Sequence, residues 1–127
     1  MKDVIRTESA PAPFQGAPYS QAIKANGLVF VSGQLALRPD HAEIIGDGIA
    51  EQTEQAFANL RAILEAAGSG LDRLVKTTVF LQNLDDFAGM NEVYKQHVGD
   101  SPPARSTVEI ARLPSGALVE IEAIALA

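Results

Sequence analysis

The chain has 127 residues, 46% of them apolar and 20% charged, and a formal net charge of -6; this balance describes one globular domain of ordinary size rather than a disordered segment. An acidic chain that gathers no cluster of Lys or Arg is not expected to bind nucleic acid. With no Cys there are no disulfides, thiol nucleophiles or thiolate metal sites. No apolar run reaches membrane-spanning length and Met1 to Arg6 resembles no signal peptide, so the expected location is the cytoplasm, without membrane contact.

A short first strand is expected around Asp3 to Arg6, followed by a turning loop punctuated by Pro11, Pro13, Gly16 and Pro18. Ser20 to Ala25 and Leu28 to Ser32 read as two strands of a hairpin. The Asn26-Gly27 pair between them supplies the positive φ angles that a tight turn needs. From Ile49 to Ala67, apolar residues at Ile49, Ala56, Phe57, Leu60, Ile63, Leu64 and Ala67 form one stripe on a helix that Gly68 ends. Glu51, Gln52, Glu54, Gln55 and Arg61 fall mostly on its opposite, solvent-facing side.

Leu74 to Leu81 is rich in β-branched and apolar residues and predicts a largely buried strand. A second helix follows, with Asp85 as its candidate N-cap and an apolar stripe of Phe87, Met90, Val93, Tyr94 and Val98 ending at Gly99. Ala104 to Ile110 and Val119 to Leu126 complete the strands, separated by a turn at Leu113-Pro114-Ser115-Gly116. This order predicts an α+β domain spanning residues 1–127, a mixed sheet with two helices on one face. The other face then lacks a cover. If it is apolar, a second copy of the chain is the natural occupant.

Candidates for chemistry are few. His41 and His97 are the two histidines, and neither stands at metal-ligand spacing, so no metal site is expected. The glycines form no nucleotide-binding loop and no nucleophile-elbow pattern occurs, so no cofactor is expected either. Asn91 interrupts an apolar helical row and must bond either the protein or a ligand. Arg105 shares one face of its strand with Thr107 and Glu109, behind the restraint of Pro102 and Pro103. Its planar fork suits a carboxylate, although an ordinary salt bridge to a neighbouring glutamate is the simpler reading. Glu120 and Glu122 share one face of the last strand, where mutual repulsion calls for a cation, a water or a proton.

Taken together, several segments closely resemble the RidA/YjgF family. They include Ala17-Pro18-Tyr19-Ser20-Gln21-Ala22, Val31-Ser32-Gly33-Gln34, Gln52-Thr53, Asn59-Leu60 and Val75-Lys76-Thr77-Thr78-Val79, and continue through Asn91-Glu92-Val93-Tyr94, Pro103-Ala104-Arg105-Ser106-Thr107 and Val119-Glu120-Ile121-Glu122-Ala123. The resemblance implies a chorismate mutase-like fold: a six-stranded, mostly antiparallel mixed sheet that trimerises through its uncovered face into a barrel. Ligand sites would lie between subunits of the homotrimer. It also implies cofactor-free hydrolytic deamination of reactive 2-enamino or 2-imino acids, such as 2-aminoacrylate, to 2-keto acid and ammonia.

Carried over by position, Arg105 would hold the substrate carboxylate, Glu120 would orient the attacking water, and the backbone at Thr107 would help place it. Tyr19, Ser32, Gly33 and Asn91 would line the pocket. The chain departs from many relatives in the Gly16-Ala17-Pro18-Tyr19 loop, in a short 97–102 segment and in Thr107, where Cys is frequent; these positions bear on substrate preference. One alternative is a non-catalytic trimeric module that binds small carboxylates or partner proteins. Another is a ribonuclease or translation inhibitor, against which the acidic charge argues.

Overall fold

A computed structural model describes residues 1–41 and 43–127. In chain order its elements are β1 (Asp3–Ile5), β2 (Ala22–Ala25), β3 (Leu28–Gln34), α1 (Ile49–Ala66), β4 (Leu74–Leu81), α2 (Phe87–Val98), β5 (Ala104–Glu109) and β6 (Val119–Leu126). The six strands form one sheet in the order β1-β2-β3-β6-β4-β5. Every pairing is antiparallel except β4 with β5. That parallel pair needs a crossover, which α2 supplies.

The β2–β3 hairpin turns on Asn26 and Gly27, whose φ angles of 53° and 78° are both positive, as its tight turn requires. β2 begins later than the periodicity suggests, because Gln21 is committed elsewhere. Its side-chain amide donates to the carbonyls of Thr7, Ala10 and Pro11 and accepts from the Thr7 N–H, stapling the N-terminal segment. β3 runs on to Gln34 through a bulge after Val31.

Both helices cover the same sheet face. Phe57, Leu60, Ile63 and Leu64 of α1 are fully buried in one cluster with Val29, Val79, Ile121, Ala123 and Ala125 from the strands and Met90, Tyr94 and Val98 from α2. Burial of each large side chain contributes about 1.5–3 kcal/mol. Gln52 does not face solvent as its polarity suggests. Its amide spans from the Gly46 carbonyl to the Leu118 N–H, tying the loop before α1 to the start of β6. Asn59, also buried, donates to the carbonyls of Leu35 and Leu37. These polar positions hold loops that have no ladder of their own.

Asp85 does not cap α2. A 3-10 turn over Leu84–Asp86 precedes the helix, and Asn83 caps that turn by accepting from the Asp85 N–H. The sheet face away from the helices is apolar along one row set by the strand registers: Val4, Ile23, Phe30 and Ile124. Phe30, Val108 and Leu126 are 41–48% exposed there. Among the described residues no helix is long and apolar enough to cross a membrane.

Candidate active site

Arg105 pairs with Thr77 across the parallel β4–β5 ladder, and its side chain lies on the helix-covered face. Asn91 on α2 accepts a hydrogen bond from Arg105 Nη1 at 2.8 Å. The guanidinium carbon lies 4.6 Å from the ring centre of Tyr94 and 5.5 Å from that of Phe87, both on α2. Among the described residues no carboxylate pairs with Arg105, so the salt-bridge reading of its sequence context does not hold. The half-buried fork is backed by aromatic rings and pinned by one amide, and it keeps further N–H donors for something else. Beside it opens a cavity of about 360 Å³ bordered by Asn91, Tyr94, Val98, Pro102 and Pro103.

Glu120 sits on the other face. It pairs with Phe80 in the β4–β6 ladder, while its neighbours Val119 and Ile121 point into the core. Burial pushes its carboxyl above the usual carboxylate range, and the charge of Glu122 on the same strand face adds to the shift. Gly33 presses against it. A Cβ added at Gly33 would lie 2.8 Å from Glu120 Cδ, so the absence of a side chain there is what lets the carboxylate occupy its position. Ser32 donates its hydroxyl to the Ser20 carbonyl at 2.6 Å, and the Tyr19 hydroxyl accepts from the Phe14 N–H. Both bonds order the loop that leads into this side.

The predicted residues therefore form two groups. Arg105 and Asn91 stand on the helix side of an edge strand; Glu120 stands on the open side two strands inward, on β6, with Gly33 against it on the next strand, β3. Thr107 pairs with Val79 and shares the face of Arg105. Its hydroxyl is buried without a hydrogen-bond partner. A separation of two strand spacings, about 10 Å, with the sheet between, prevents Arg105 and Glu120 of one chain from gripping one small molecule. A cleft of about 830 Å³ between the N-terminal segment and Tyr19 to Gln21 borders neither of them.

Tyr94, Thr77 and Phe87 belong to this constellation and escaped the periodicity reading, which counts Tyr94 and Phe87 as core stripe. The available signal was chemical: a Tyr and a Thr at buried positions, each needing a partner. They find each other, hydroxyl to hydroxyl at 2.6 Å. Among the described residues no three His, Asp or Glu side chains converge as a metal site would require. His97 is engaged with Glu54 at 2.7 Å and stacked on Phe57.

Residues 7–127 match the family described as Endoribonuclease L-PSP. A RutC family protein of Pyrococcus horikoshii is 52% identical over 125 residues, covering 98% of both chains. A mouse protein named 2-iminobutanoate/2-iminopropanoate deaminase is 43% identical, covering 99% of this chain and 92% of its own. Among solved structures, RidA from an Antarctic Psychrobacter superposes with a TM-score of 0.92 at 43% identity, over 98% of this chain and 99% of that one.

Proposed function

We propose, from the premise that this chain belongs to the RidA/YjgF family, that it hydrolyses small 2-imino acids, and the 2-enamino acids that tautomerise to them, to 2-keto acid and ammonia. The observation that carries this reading is Arg105. A half-buried guanidinium with no counter-carboxylate among the described residues, in a chain of net charge -6, is matched by a small anionic ligand rather than by a phosphate backbone. A mouse relative named for 2-iminobutanoate and 2-iminopropanoate supports a substrate that bears one carboxylate.

The opposite placement of Arg105 and Glu120 supports a site shared between copies. The exposed row that includes Phe30, together with Val108 and Leu126, is the surface that association would cover, and a homotrimer would build three such sites. Arg105 of one copy would hold the carboxylate while Glu120 of the next faces the imine carbon. Water adds to the carbon of the protonated imine as Glu120 takes a proton from the water. Glu120 returns that proton to the carbinolamine nitrogen, the C–N bond breaks to release ammonia, and Glu120 takes the hydroxyl proton as the carbonyl forms. A carboxyl raised toward neutrality suits both receiving and returning a proton. Holding substrate and water in register is most of the remaining task.

An amino-acid oxidase generating imino acids in situ supplies the assay, with 2-keto acid release followed over time. The protein should accelerate release, and Arg105→Lys should lower kcat/KM at least about tenfold, since a point charge does not replace the fork. No acceleration over buffer across a panel of imino acids would overturn the proposal.

A further inference from the structure

We infer that Tyr94 is a positioning residue for Arg105 and that Thr77 acts through it, an inference that rests on the carboxylate-holding role proposed above for Arg105. Thr77 and Arg105 are register partners on adjacent strands, so their side chains rise side by side from the sheet. Tyr94 descends on them from α2 and meets both: its hydroxyl bonds Thr77 at 2.6 Å, and the face of its ring lies 4.6 Å from the guanidinium carbon. An edge-on contact with Phe57, at 5.3 Å between ring centres and 77° between planes, fixes the ring from behind. The plane that supports the guanidinium is thus held at its hydroxyl end and at its edge.

A long arginine side chain has many rotamers, and a carboxylate gains a two-point grip only if the fork is already aimed. One helix does the aiming. Asn91, three residues before Tyr94, takes the Nη1 hydrogen bond, while Tyr94 and Phe87 supply the aromatic surface. Packing alone does not account for the hydroxyls. A buried Tyr–Thr pair replaced by Phe and Val of similar shape would leave no unpaired polar group and would be nearly neutral for stability. The pair is explained if what it fixes is the angle of the ring beneath Arg105.

The test measures competitive inhibition by 2-oxobutanoate and by uncharged 2-oxobutanamide for wild type, Arg105→Ala, Tyr94→Leu, Tyr94→Phe and Thr77→Val. Only the carboxylate uses the fork, so the ratio of the two inhibition constants reads its aim. The expected result is a fall of about tenfold in carboxylate preference for Tyr94→Leu, about 1.4 kcal/mol. Thr77→Val and Tyr94→Phe should show a smaller loss, equal in both and no larger in the double variant. KM should rise with kcat changed less. A merely structural defect would weaken both inhibitors alike and leave the ratio at its wild-type value. Should Tyr94→Leu fail to fold, the two near-isosteric variants carry the test. If Arg105→Ala keeps the wild-type ratio, the role of Arg105 itself is wrong. If Arg105→Ala loses the preference while Thr77→Val and Tyr94→Phe retain it in full, the positioning inference is overturned.

Discussion

Replacing Gly33 with Ala isolates one contact of the candidate site. The φ of Gly33 is not among the positive values that strain other residues, so the backbone accepts alanine. The added Cβ lies 2.8 Å from Glu120 Cδ and 3.0 Å from Cγ and Oε2, and the carboxyl must retreat by about 0.6 Å to regain ordinary contact. Moving the end of a flexible side chain off its preferred rotamer costs about 0.5–1.5 kcal/mol. The stiffer unfolded chain offsets about 0.4–1 kcal/mol of that. Stability should therefore change by less than about 1 kcal/mol in urea denaturation, whereas a displaced carboxylate should lower kcat/KM by about 10- to 100-fold. Removing the obstacle supplies the control: in a Glu120→Ala background, Gly33→Ala should cause no further loss of activity and no clash, a coupling that a double-mutant cycle reads directly. Full activity in Gly33→Ala, or the same destabilisation with and without Glu120, would refute the reasoning.

Glu120→Gln tests the raised carboxyl. Because the folded protein holds that proton more tightly than the unfolded chain, wild type loses stability as pH rises from the ordinary glutamate range through the folded value. The Gln variant should lack this fall, which melting temperatures measured across pH will check, and the activity of wild type should rise over the same interval. Phe30→Asp places a charge on the exposed apolar row and should shift the protein to smaller species in analytical ultracentrifugation, with deaminase activity lost in parallel; an unchanged assembly would show that this row is not the interface. Asn59→Ala withdraws the donors to the Leu35 and Leu37 carbonyls and should cost about 2–4 kcal/mol in chemical denaturation, with the activity of the folded fraction retained.

The elements themselves are legible along the chain because their causes are local. Apolar spacing marks α1 and α2, β-branched runs mark β4 and β6, and Asn26-Gly27 marks the hairpin. Strand alternation also orders the side chains of β5 and β6 correctly, with Arg105 beside Thr107 and Glu120 beside Glu122. Alternation, however, ranks faces only within one strand. Which face receives the helices depends on the long-range pairing that inserts β4 between β5 and β6 and runs β4 parallel to β5, and no short window of sequence encodes that. The same limit hid Gln52 in the core and Tyr94 beneath Arg105, since a polar atom can be buried wherever a distant partner satisfies it. Composition and local pattern settled the inventory of helices and strands, whereas Arg105 and Glu120 were singled out by the resemblance of their motifs to a known family and not by spacing. Only the folded sheet decided that these two charged groups stand back to back, because the side on which a residue emerges is fixed by the strands packed beside it.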